Sequence, residues 1–241
     1  MSTYEAKLQG REEIAQGTMA FHFEKPAGFI FKPGQAIDLV LPDAPDLVAG
    51  SARHTFSIVS APFQDELVVA TRMRDSAYKR ALSALPIGTQ ARLEGPSGSL
   101  TLHSDRARPA LFMAGGIGIT PFMSILRQAA KDRSQQQVVL LYSNRRPEDA
   151  AFLAELQQLA RQQPQNLRLV ATMTGMGKSQ QPWDGATGAI DEALVRQICA
   201  ELAAPICYLA GPPAMVEAVR HSLGDAGVND DDIRSEEFYG Y

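Results

Sequence analysis

Through the first hundred residues the apolar positions come in short runs that often alternate with polar ones: TMAFHFEK, QAIDLVLP, HTFSIVS, ELVVATRM and TQARLEG, punctuated by Gly, Pro and Asp. A period of two places one face of each run in a core, so these segments predict the strands of an all-β unit, barrel or sandwich. One helix-compatible piece, SAYKRALSAL, interrupts them. From about residue 108 the rhythm changes. Continuous apolar runs (ALFMAG, QVVLLYS, LRLVATM, ICYLAG) now alternate with amphipathic stretches of helix length (TPFMSILRQAAKD, PEDAAFLAELQQLARQ, DEALVRQICAEL, PPAMVEAVRHSLGDAG). Such alternation predicts a parallel sheet covered on both faces. The break lies in HSDRARP, residues 103–109, giving an expected β unit at 1–104 and an α/β unit at 105–241. The polar stretch TGMGKSQQPWDGATG reads as an irregular surface loop.

Composition narrows the chemistry. The 241 residues, 45% of them hydrophobic, suffice for two small cores. A net charge of −4 implies no broad basic surface, so neither nucleic acid nor an anionic membrane is an expected partner. No apolar run approaches the ~20 residues that cross a bilayer, and MSTYEAKLQGREE is polar, so no membrane insertion and a cytoplasmic monomer are expected. Two cysteines, Cys199 and Cys207, stand in helix-patterned or apolar segments and read as reduced core thiols. Two thiolates cannot ligate an iron–sulfur cluster, and His22, His54, His103 and His221 show no metal-ligand spacing, so no metal is expected. Any redox group must be organic or belong to a partner.

The candidate site starts at LFMAGGIGITPFMSI, residues 111–125. A predicted strand ends in Gly115, Gly116 and Gly118, and Pro121 opens a predicted helix. Glycines let a backbone approach a pyrophosphate, and a helix N-terminus at the carboxyl end of a parallel strand favours an anion. Ordinary turn chemistry accounts for the same residues when they stand alone.

In company they are more specific. GGIGITP, preceded by FKPGQ and RHTFSIVSAP and followed by LLYSNR, YLAGPPAMV and a terminal EEFYGY, resembles the ferredoxin–NADP reductase-like family of flavoproteins from about Tyr4 to Tyr241. The resemblance implies an N-terminal antiparallel Greek-key β-barrel that binds FAD or FMN, FAD being preferred. It also implies a C-terminal five-stranded parallel α/β domain for NADH or NADPH, and no fused iron–sulfur domain. In the family an Arg-x-aromatic-Ser/Thr sequence holds the flavin: the arginine meets a phosphate, the aromatic flanks the ring and the hydroxyl lies near its reactive nitrogen. Phe56 and Ser57 match the last two positions. Strict spacing puts His54 at the first, with Arg53 one residue earlier, and an irregularity at Thr55 would still present Arg53. Read without the family, HTFSIVS is a half-buried strand with Phe56 and Ile58 on one face and Ser57 on the other. In VVATRMRDSAYKRAL, Thr71, Arg72 and Met73 are expected along the flavin edge. Ser76 and Lys79 are expected either at phosphate or as a helix cap and a solvated lysine.

On the nicotinamide side, the resemblance assigns Gly115, Gly116, Gly118, Thr120 and Pro121 to the dinucleotide, with Ala210, Gly211 and Pro212 flanking the nicotinamide. Asn144 and Arg145, followed by Arg146 with no acid before Glu148, lean towards NADPH, because an arginine there accepts a 2′-phosphate. Glu236, Glu237, Phe238 and Tyr239 are expected to fold back over the flavin and move aside for the nicotinamide; a frayed acidic terminus is the alternative. Ser57, Thr120, Glu237 and Phe238 form the expected catalytic set. The implied reaction is hydride transfer from NAD(P)H to flavin, then electron delivery to a separate ferredoxin, flavodoxin, oxygenase component or haem protein. A reductase of free flavin or ferric complexes, and a non-catalytic nucleotide-binding subunit of a larger complex, are the alternatives.

Overall fold

A computed structural model of the chain describes residues 2–42, 47 and 52–239. The chain divides into two compact units, Met1–Thr101 with Thr120–Gln128, and Leu102–Ile119 with Ala129–Tyr241. The first is a sheet of six antiparallel strands: β1 (Ser2–Ala15), β2 (Thr18–Glu24), β3 (Ala36–Val40), β4 (Arg53–Ser57), β5 (Glu66–Arg72) and β6 (Gln90–Ser97). Their order is β4-β3-β6-β1-β2-β5. An antiparallel bridge from Ile58 to Val69, with Val59 N donating to Val68 O at 2.8 Å, brings the end of β4 against β5 and closes the sheet. Alternation supplies the interior: Leu8, Phe21, Phe23, Ile37 and Leu93 are completely buried. Helix α1 (Ala77–Ala84) inserts Tyr78 and Leu82 into this core, and Arg11 caps its end by donating to Ser83 O and to Leu85 O.

In the second unit, β7 (Ala110–Gly115) is followed by a 3₁₀ turn, Gly116–Ile119, and then by helix α2 (Thr120–Lys131). Strands β8 (Val138–Asn144) and β9 (Leu167–Met173) flank α3 (Leu153–Gln162). Then come β10 (Ala186–Thr187), α4 (Glu192–Glu201), β11 (Ile206–Gly211), α5 (Pro213–Asp225) and β12 (Ile233–Glu237). The six strands are parallel, ordered β10-β9-β8-β7-β11-β12. Every residue of β7 and β11 is buried, which is why both read as unbroken apolar runs. Leu111 and Leu209 face Val195 and Val219 of the last two helices, with Cys207 as a core residue beside them. On the opposite face Phe112 meets Tyr208 edge-on at 5.2 Å.

Three expectations change. The sheet has five long strands as expected, plus the two-residue β10 inside the stretch read as irregular, where Thr172 Oγ1 donates to Gly188 O at 2.6 Å. The acidic terminus is neither frayed nor a free flap through Glu237: β12 pairs with β11 from Cys207↔Ile233 to Gly211↔Glu237. Gly240 and Tyr241 lie outside the described residues. Residues 120–128, patterned with the α/β half, pack with the β unit, where Ser124 Oγ donates to Ser60 O at 2.7 Å and Arg127 Nη1 to Val59 O at 3.2 Å. Among the described residues no helix is long and apolar enough to cross a membrane.

Candidate functional site

In the β unit, β4 pairs with β3 over five consecutive positions, from Val40↔Arg53 to Ala36↔Ser57, with no bulge. The expected irregularity at Thr55 is therefore absent, and regular alternation sends Arg53, Thr55 and Ser57 to one face and His54 and Phe56 to the other. Phe56 is 5% exposed and belongs to the barrel core. Its ring lies 4.8 Å from that of His54, which meets Tyr78 edge-on at 5.3 Å. Burial, followed by the nearby charge of Lys79, pushes the His54 imidazolium down in pKa, so the ring favours its neutral form.

On the other face, Ser57 is buried, and its Oγ has no hydrogen-bond partner among the described residues. A buried hydroxyl left unpaired costs about 1–3 kcal/mol, so its persistence points to a ligand atom. Thr71 is buried, and Arg72 and Met73 follow at the end of the neighbouring strand. Ser76 is the N-cap of α1, accepting from Lys79 N at 3.2 Å, and the buried Lys79 Nζ donates to Arg72 O at 2.8 Å. Burial, then Arg74, lowers the Lys79 pKa. Arg53 is also engaged: its Nε donates to Asp38 Oδ2 at 3.0 Å and its Nη1 pairs with Glu94 Oε2 at 2.9 Å. Sequence reasoning passed over both carboxylates. The signal was there in QAIDLVL, where one Asp stands inside an apolar run.

In the α/β unit, the strand order reverses between β7 and β11, because the chain lays β8 and β9 on one side of β7 and returns to place β11 and β12 on the other. The crevice at such a switch point, beyond the carboxyl ends of the strands, is where open α/β sheets bind ligands. Gly115, Asn144, Gly211 and Glu237 end four of these strands, with Gly116, Arg145, Pro212 and Phe238 immediately beyond. The glycines there serve backbone approach. A Cβ on Gly118 would lie 2.7 Å from Gly211 N and closer still to the Ala210 carbonyl, and one on Gly115 would strike Met215. Gly116 has open space around it but a φ of +53°, so there the turn itself needs glycine. Thr120 and Pro121 open α2, both buried. Phe238 N donates to Gly211 O at 3.0 Å, which ties the terminus to this turn, and Tyr239 donates to Glu237 Oε2 at 2.5 Å.

The loop after β8 is bound to the loop after β9. Thr174 N donates to Asn144 O at 2.9 Å, Gly175 N to Arg145 O at 2.7 Å, and Glu148 accepts from Ser179 and from Gln180 N. Those donors, the backbone N–H first, hold the Glu148 pKa down. Arg146 is spent on Asp149, with Nε to Oδ2 at 2.9 Å and Nη2 to Oδ1 at 3.0 Å. Arg145 and Lys178 are exposed and make no ion pair among the described residues.

Residues 112–221 match the oxidoreductase NAD-binding domain. Over 236 residues, covering 93% of each chain, the protein is 31% identical to ferredoxin–NADP reductase B of Sorangium cellulosum. The chain belongs to the ferredoxin–NADP reductase-like family. It is an NAD(P)H-dependent flavin oxidoreductase whose electrons pass to a separate acceptor. It is also 28% identical to the reductase component of propane 2-monooxygenase from Rhodococcus jostii, of which it spans 57%. In fold it matches a ferredoxin–NADP reductase from Neisseria gonorrhoeae solved with bound FAD and NADP, with a TM-score of 0.79 at 22% identity over 98% of both chains. A cytochrome P450 reductase from Amycolatopsis gives 0.81 at 23%, over 98% of this chain and 70% of that one.

Proposed function

We propose that residues 1–104 carry FAD, that residues 105–241 receive NADPH, and that the acceptor is a one-electron protein: a ferredoxin, a flavodoxin, an oxygenase component or a haem protein. The observation that carries this reading is the buried Ser57 hydroxyl, without a partner among the described residues, on the barrel strand where a flavin nitrogen would complete it. Bound FAD and NADPH supply the hydride and electron chemistry, so the chain has only to bind, orient and exclude water. Ser57 donates to the ring, while Thr71, Arg72 and Met73 border it. Gly115, Gly118 and Gly211 let the strand ends close backbone to backbone, Gly116 keeps open space there for the dinucleotide, and Ala210 and Pro212 flank the nicotinamide. Glu237 and Phe238 border the same turn through the pairing of β12 with β11.

NADPH is preferred because Arg145 and Lys178, with no ion pair among the described residues, are exposed cations on two loops bound to each other, which suits a 2′-phosphate. The protein works as a cytoplasmic monomer; its two cysteines are free thiols, as a reducing compartment keeps them. The test is anaerobic stopped-flow reduction, following the flavin band near ~450 nm after mixing with NADPH or NADH. Fast bleaching with NADPH is expected. A protein that binds no added FAD, or an FAD-loaded one that neither nucleotide bleaches, would overturn the reading.

A further inference from the structure

Thr55, Asp38 and Glu94 form a row across three adjacent strands, since Asp38 pairs with Thr55 on one side and with Glu94 on the other. Arg53 enters this row from two residues along β4. Its guanidinium is bound by both carboxylates, Thr55 Oγ1 donates to Asp38 Oδ1, and Arg92 Nε meets Glu94 Oε1 at 3.2 Å. Two cations and two anions balance. The side chains of Asp38 and Glu94 are only 10% and 18% exposed, against 48% for Arg53. Arg53 is the residue that a flavin phosphate would need, yet it is not presented to one. Drawing it away would strand a nearly buried carboxylate, and bringing a diphosphate to it would set like charges against Asp38 and Glu94. The alternative residue at this position, His54, is turned into the core among aromatic rings.

Resting on the reading that the β unit holds FAD, we infer that Asp38, with Glu94 behind it, withholds Arg53 from the flavin diphosphate and sets a weak grip on the cofactor. FAD is then held chiefly through its ring, along the end of β5, and exchanges with free flavin. Asp38 is an affinity-determining residue that neither the arginine motif nor its spacing reveals.

The test measures FAD release from the full-chain holoprotein on serial dilution, read by the recovery of flavin fluorescence. Arg53→Ala is expected to change the FAD Kd by less than about threefold, whereas Asp38→Asn, which frees the guanidinium for a charge-assisted phosphate contact, tightens it about tenfold. The double variant Asp38→Asn/Arg53→Ala should lose that gain, which shows that it runs through Arg53. Glu94→Gln should shift the Kd in the same direction as Asp38→Asn and carries the test if the latter does not fold. A tenfold weakening by Arg53→Ala alone, or folded Asp38→Asn and Glu94→Gln variants with unchanged FAD affinity, would overturn the role of Asp38 while leaving the flavin reading intact. A full chain that binds no FAD even when the cofactor is added in excess would instead overturn the flavin reading, and the role of Asp38 with it.

Discussion

The amide nitrogen of Gly211 lies 2.7 Å from the point where a β-carbon on Gly118 would stand, so the turn after β7 and the end of β11 touch backbone to backbone. Gly118→Ala forces the two strand ends apart and is expected to cost on the order of 3 kcal/mol, the upper range for overpacking. Gly116→Ala has the room but not the backbone: at φ +53° it should cost about 1 kcal/mol. Urea denaturation of both variants checks the order, and equal losses would contradict it.

Ser57 gives opposite signs with and without flavin. Ser57→Ala removes an unpaired buried hydroxyl, so the apoprotein should gain about 1 kcal/mol. Flavin reduction by NADPH should slow about tenfold or more for want of the donor, with little loss of bound flavin. Calorimetry of the apoprotein and single-turnover reduction read the two effects separately. An unchanged reduction rate would remove Ser57 from the mechanism.

Arg145 and Arg146 are neighbours with different work. Arg145→Ala is expected to raise the KM for NADPH about tenfold and leave that for NADH unchanged, as loss of a phosphate contact does. Arg146→Ala leaves Asp149, whose side chain is 2% exposed, without its guanidinium, so the thermal midpoint should fall with both nucleotides affected alike. Steady-state kinetics with the two nucleotides, beside melting curves, distinguish them.

His54 makes stability depend on pH. Its folded pKa lies below the unfolded value of about 6.5, because burial penalises the charged ring. The unfolded chain therefore binds the proton first. The stabilisation from a neutral His54 is complete above that value and is lost as pH falls through the folded pKa. His54→Leu should flatten the decline in stability between neutral and mildly acidic pH, measured by denaturation at a series of pH values. A slope identical to that of the unsubstituted protein would place the titration elsewhere.

The strand and helix periods, the change of rhythm near residue 108 and the glycine turn before α2 are local properties, so the chain shows them in order. Tertiary pairing decided the rest. EEF reads as a tail folded back over the flavin, with a frayed end as the alternative, and its place as a strand beside β11 shows only in the fold, because only the neighbouring strand supplies partners for its backbone. Arg53 reads as a phosphate ligand until β3 and β6 bring Asp38 and Glu94 against it from 15 and 41 residues away. Ser57 is legible in sequence as the hydroxyl of the flavin motif, but that it is buried without a partner among the described residues follows only from the closed barrel. The sequence by itself determined which segments become strands and helices and where the dinucleotide turn lies, since periodicity and glycine act over a few residues. Only the tertiary structure decided which charges are spent and that the Ser57 hydroxyl is buried without a partner among the described residues, because both depend on what the fold brings alongside.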